Sequence, residues 1–120
     1  MRRAAAILAG LLLAGSAGAI DAQWITGCWR LAYDPEDRPS DALEFRADGD
    51  VDNVWADGTR VPGFYVVAPD MVKAVFTRNG RDVITVFHYD SAHTELRIVT
   101  SRTGRESVYR KKAGEGPCRP

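Results

Sequence analysis

The sequence predicts an all-β protein: an eight-stranded antiparallel up-and-down β-barrel that follows a cleaved signal peptide. Three observations predict it. Downstream of residue 23, turn signals cut the chain into eight short segments. Three of those turns are Asp48-Gly49, Asp57-Gly58 and Asn79-Gly80, and Asp-Gly or Asn-Gly between apolar runs is the strongest short hairpin signal because both residues tolerate positive φ. Apolar and polar residues alternate within the segments, and none has helical periodicity after the leader. Eight strands are enough to close a sheet on itself, which removes its exposed edges.

The leader comes first. Arg2 and Arg3 form a positive n-region, Ala4 to Ala14 an uncharged apolar run, and Gly15 to Ala19 supply the small residues of a cleavage site after Ala19, with a second site after Ala22. The apolar run is shorter than the roughly 20 residues that span a bilayer, so no membrane span is expected. Residues 1–19 therefore read as a signal peptide and 20–120 as a single barrel domain. The expected location is periplasmic or secreted. A competing reading takes Ile25-Thr26-Gly27-Cys28 as a lipoprotein box anchoring the chain through Cys28. Asp21, Gln23 and Trp24 separate that box from the apolar run, where such a box should lie against it.

Strands are expected near 26–33, 41–47, 50–56, 60–67, 71–78, 82–89, 94–101 and 105–112. Leu43 and Phe45 alternate with Glu44 and Arg46, and Leu96 and Ile98 with Glu95 and Arg97. The run Val83 to Phe87 is apolar on both faces, which leaves its inward set open. Pro62 cannot donate to a ladder, which places it at an edge or at a bulge beside Gly63.

Without Arg2 and Arg3 the chain carries 14 basic and 16 acidic residues. That balance predicts no nucleic-acid affinity from bulk charge. The charges are segregated: residues 34–57 are mainly acidic, and from Arg97 onward the balance turns basic. The bland reading is two solvated faces; the sharper one is a polar surface that docks a charged partner.

Two cysteines in an exported chain point to one disulfide. In an up-and-down barrel of eight strands, the last strand closes antiparallel against the first. Cys28 lies near the start of the first strand and Cys118 follows the last by a short tail, so a Cys28–Cys118 bond is expected to staple the seam. Closing a loop of about 90 residues stabilises by roughly 4–5 kcal/mol through loss of unfolded-chain entropy.

The order Ile25-Thr26-Gly27-Cys28-Trp29-Arg30-Leu31, Leu43-Glu44-Phe45 with Asp48-Gly49, Gly63-Phe64-Tyr65, Leu96-Arg97-Ile98 and Tyr109-Arg110 resembles small bacterial lipocalin-like (calycin-type) domains. The resemblance covers residues 24–112 and implies a barrel end built from Gly27 and Trp29, with Trp29 as the plug. In lipocalins a late basic residue packs over that tryptophan, and Arg110 is the matching candidate. The opening Ile25-Thr26-Gly27-x-Trp29 is also similar to avidin-type biotin binders. Those carry further tryptophans on later strands, whereas Trp24, Trp29 and Trp55 all precede residue 56 here, so biotin binding is not carried over.

Catalytic and metal chemistry find little support. Asp48-x-Asp50-x-Asp52 has calcium-loop spacing, but Asn53 and Thr59 stand where that loop needs Gly and a carboxylate. His88 and His93 flank a turn near Asp90 and Glu95, where solvated hairpin ends are commoner than a zinc site. The serines lie near no evident His-plus-acid set. No metal, no cofactor and no enzymatic activity are expected. Binding is the remaining class. Trp29, Leu31, Leu43, Phe45, Val51, Trp55, Tyr65, Phe76, Leu96, Ile98 and Tyr109 are the inward candidates, and a short barrel with so many large residues is mostly filled. A small apolar ligand at an open mouth near Trp55, Phe64 and Phe87 is the first expectation. The alternative is a protein-binding inhibitor or immunity-type protein acting on a secreted hydrolase, with loops or a free N-terminal segment as its probe, a reading that the acidic loop 34–41 fits. A monomer is expected in either case.

Overall fold

The computed structural model describes residues 23–35, 37–99, 104–114 and 116–120. Eight strands form a closed meander: β1 (Gly27–Tyr33), β2 (Asp41–Phe45), β3 (Asp50–Trp55), β4 (Arg60–Val67), β5 (Met71–Arg78), β6 (Arg81–Tyr89), β7 (Glu95–Val99) and β8 (Glu106–Lys111). Each strand pairs antiparallel with the next, and β8 closes on β1. The expected all-β barrel is therefore the fold, with strand positions within a few residues of those read from the sequence. The leader and its cleavage sites lie outside the described residues, as does Thr103 of the β7–β8 turn.

The turns differ in kind. Asn79 and Gly80 both have positive φ (54° and 74°), as a two-residue type I′ hairpin requires. At Asp48-Gly49 and Asp57-Gly58 only the glycine does. There Gly49 N–H donates to Arg46 O at 3.2 Å and Gly58 N–H to Trp55 O at 3.0 Å, and the loops are built on longer turns with one left-handed residue at the end.

Register fixes which side chains enter the lumen. Leu43 stands opposite Trp29 on one side and Asn53 on the other; Tyr65 faces Ala74, and Leu96 faces Tyr109. The alternation that follows puts Trp29, Leu43, Phe45, Val51, Tyr65, Val72, Phe87 and Leu96 in one buried cluster. The rings meet edge to face: Phe45 lies 5.0 Å from Tyr65 and 6.5 Å from Phe87, an arrangement that favours aromatic pairs beyond their area. In the run Val83 to Phe87, Val83, Thr85 and Phe87 take the lumen face, since Val83 pairs with inward Phe76 and Phe87 with Val72.

Pro62 is not on an edge strand, for a closed barrel has none. It pairs with Asp52 of β3, while the β4–β5 ladder begins one residue later at Gly63. The missing N–H thus falls where β4 has its cross-strand partner on β3 alone.

Cys28 and Cys118 are bonded, with Cα atoms 5.3 Å apart. The bond reaches farther than the seam. Cys118 is buried outside the barrel with Ala42 and Val54, so the tail after β8 crosses the outer face of β1–β3. That explains why Ala42 and Leu43, adjacent on one strand, are both buried: Leu43 faces the lumen and Ala42 lies under the tail. With its sulfur in the disulfide, Cys28 has no thiol left to carry a lipid. The bond is consistent with an oxidising location. Among the described residues no helix is long and apolar enough to cross a membrane.

Candidate functional site

The two ends of the barrel are chemically unlike. At one end the chain enters through a single 3₁₀ turn, Gln23–Ile25, whose Ile25 carbonyl accepts a hydrogen bond from Trp29 Nε1 at 2.8 Å. Trp29 and Ile25 are fully buried. Trp24 caps them, edge-on to Trp29 and stacked at 4.2 Å on His93. His93 is held in a left-handed turn (φ 58°) that Asp90 closes by accepting from the Thr94 hydroxyl and from the Thr94 and Glu95 N–H groups. Those bonds, the Thr94 hydroxyl first, hold the Asp90 carboxyl down to about 2.

The cation over Trp29 is Lys111. Ser107, Tyr109 and Lys111 share the lumen-side parity of β8, and Lys111 stands directly opposite Trp29. Its Nζ lies 5.8 Å from the ring centroid and donates to Trp24 O at 2.8 Å. Gly27 makes room for it: φ is 129°, and a Cβ there would come within 3.0 Å of Lys111 Cε. Arg110, expected in this place, has the opposite parity. It is exposed on the outer wall and pairs with Glu95 at 2.9 Å. The sequence places three basic residues in succession, Arg110, Lys111 and Lys112, and only the register distinguishes them.

The other end is open. A cavity of about 280 Å³ sits there, with Leu43, Val61, Phe76, Phe87 and Ile98 as its apolar wall. Trp55 and Phe87, two of the three expected mouth residues, line it. Phe64 does not: its register partner Val75 is on the outer face, and Phe64 is 57% exposed. It heads an apolar row on the outside of the sheet, running through half-buried Val75 to exposed Ile84.

The polar side of the cavity comes from residues that look like ordinary surface positions in the sequence. Asp41 and Asn53 lie on the lumen face of β2 and β3. Asp41 accepts from Tyr109 Oη at 2.8 Å and from Asn53 Nδ2 at 2.8 Å. Asn53 Oδ1 in turn accepts from Trp55 Nε1 at 2.8 Å, so one chain of hydrogen bonds fixes both aromatic walls. Burial, and then the neighbouring Asp41 charge, pushes the Tyr109 phenol well above its usual value. Asp34, at the start of the β1–β2 loop, has a buried side chain that accepts from Arg38 Nε at 2.9 Å and from Ser107 Oγ at 3.3 Å. The acidic loop that fits the inhibitor reading is thus anchored to the barrel at its first residue. Carrying the inward alternation of Leu43–Phe45 back to Asp41, and of Val51 on to Asn53, is the signal that would have found this network.

Other acids are engaged outside. Asp52 pairs with Arg46 and Arg60 at 3.1 and 3.0 Å, and Arg60 also holds Glu44 at 2.6 Å. Although partial burial opposes it, the hydrogen bonds from Arg46 and Arg60 hold the Asp52 carboxyl below the usual range. Asp48 accepts from the Asp50 N–H within its turn, so the Asp48-x-Asp50-x-Asp52 acids do separate jobs. Among the described residues no group of three or more His, Cys, Asp or Glu side chains is gathered as a metal site.

No protein-family model matches this chain, and no curated protein or solved structure is significantly similar to it. The case for function rests on the barrel and its cavity.

Proposed function

We propose that this chain is an exported, non-enzymatic binding protein of lipocalin-like type that holds a small, mainly apolar ligand in the open end of its barrel. The observation that carries the reading is the cavity of about 280 Å³ with an apolar wall and one polar network, the usual make-up of a small-molecule site. Its size sets the ligand: a cavity of about 150 Å³ holds benzene, so this one suits one or two rings or a short chain, not a long lipid. The resemblance at Gly27-x-Trp29 supports the lipocalin-like part of the proposal, and the Arg2-Arg3 leader with the disulfide supports export.

Native mass spectrometry of protein purified from its own cell envelope tests this. The expected result is a chain lacking residues 1–19 that carries a small molecule released on denaturation. Val61→Phe, which puts a ring into the cavity, is expected to emerge empty. A wild-type barrel that never carries or accepts a small molecule would sink the reading. The inhibitor alternative draws on the outer apolar row Phe64–Val75–Ile84, and a co-purified second protein in place of a small molecule would favour it.

A further inference from the structure

Two arginines on the rim of the open end meet no carboxylate among the described residues. Arg78 and Arg81 flank the Asn79-Gly80 hairpin and stand directly opposite each other in the β5–β6 register. The same register puts Phe76 opposite Val83 one step below, on the lumen face, while Thr77 and Asp82 bond to each other outside at 2.9 Å. Both side chains therefore leave the ladder on its lumen face; Arg78 lines the cavity, and Arg81 starts opposite it at the rim. Like charges placed directly opposite across a ladder repel. Among the described residues neither arginine has an ion pair, whereas Arg46, Arg60, Arg97 and Arg110 are all paired.

Arg78 is also positioned. Its guanidinium lies 4.6 Å over the Trp55 ring centroid, and Trp55 is fixed from below by Asn53. Stacking on a ring leaves the in-plane N–H groups of an arginine free, in the fork geometry that matches a carboxylate. The two lumen acids nearby are already solvated by protein donors: Asp34 by Arg38 and Ser107, Asp41 by Tyr109 and Asn53.

Resting on the reading that this cavity holds a ligand, we propose that the ligand is a small amphipathic carboxylate. Its apolar body lies against Trp55, Phe76 and Val83, and its carboxylate is clamped at the rim by Arg78, with Arg81 as the second cation. The anion relieves the repulsion between the two arginines, and this relief adds to the selectivity.

Calorimetric titration with a matched set of probes tests the proposal: 2-naphthoate, uncharged 2-naphthylmethanol and cationic 2-naphthylmethylammonium. The carboxylate is expected to bind at least ten-fold more tightly than the alcohol, with the preference shrinking in high salt. Arg78→Gln is expected to remove most of that preference and Arg81→Gln part of it, with both variants still folded by circular dichroism. Equal binding of acid and alcohol, or a preference that survives in the double variant, overturns the carboxylate clamp but leaves the cavity reading standing. An ammonium that binds best would place the head group at Asp41 and also overturn it. If none of the three binds at millimolar concentration, the clamp and the cavity reading fall together.

Discussion

Gly63 marks a point where β4 has no room for a side chain. A Cβ built there would lie 2.4 Å from the Val75 carbonyl oxygen and 2.8 Å from Phe76 Cδ1. The carbonyl is backbone and cannot swing aside. In a strand interior, replacing Gly by Ala ordinarily gains roughly 0.5–1 kcal/mol. Here overpacking outweighs that gain, and Gly63→Ala is expected to cost about 2–3 kcal/mol, read as a lower urea midpoint. Tyr109 makes a different kind of prediction. Its hydroxyl is one of two donors to Asp41, and removing a partner from a polar group screened from water costs about 1–3 kcal/mol. The phenol is also held protonated in the folded state, by burial first and the Asp41 charge second. Its contribution is complete below the unfolded tyrosine value near 10 and is lost as pH rises through the higher folded value. Tyr109→Phe is therefore expected to be less stable than wild type at pH 7, with the gap narrowing above about pH 10. Urea titrations at both pH values check this, and a constant gap would refute it.

At the scale of elements, the C-terminal tail acts as a ninth, irregular piece of the wall. It covers Ala42 and Val54 and is tied to β1 by the disulfide to Cys28. The linked cysteines are 90 residues apart, and a loop of that length gives about 4–5 kcal/mol by restricting the unfolded chain. Cys28→Ser with Cys118→Ser is expected to lose most of that, and wild type under reductant to match the double variant; a shift below about 1 kcal/mol in the urea midpoint would show that the tail packs without its bond. What the sequence made legible follows the same elements. Turn residues and alternation are local signals, so strand positions and the closed meander could be read directly. Positive φ at both turn residues, which the sequence allows at all three turns, is realised at Asn79-Gly80, whereas at Asp48-Gly49 and Asp57-Gly58 Gly alone takes it. Parity depends on register, a property of strand pairs. That is why Lys111 and not Arg110 covers Trp29, and why Phe64 faces outward while Phe87 lines the cavity. Asp41 and Asn53 were missed because inward-facing polar residues look like solvated ones until their partners Tyr109 and Trp55 are placed beside them.

Across the whole molecule, stability and binding are divided along the barrel axis. The closed end concentrates buried apolar volume: Trp29 and Ile25 are fully enclosed, Trp24 and His93 lie over them, and Lys111 crosses the plug. The open end is given over to a cavity, a polar network and two rim cations that have no ion pair among the described residues, and these contribute little to a packed core. The two ends are joined by Phe45, Phe87 and Tyr109, whose rings contact in sequence at 6.5 and 6.0 Å. Two substitutions of one residue type separate the roles. Trp29→Ala removes a fully buried indole and its bond to Ile25, and is expected to cost about 3–5 kcal/mol, enough to unfold so small a domain under mild heating. Trp55→Ala removes a half-buried ring at the mouth together with the platform under Arg78. Because that ring borders open space already, its loss is expected to cost well under half as much stability, while weakening 2-naphthoate binding at least ten-fold. Thermal unfolding and calorimetry on the same two proteins read both quantities. If Trp55→Ala unfolds the chain as readily as Trp29→Ala, the open end is part of the structural core, and the division along the axis is wrong.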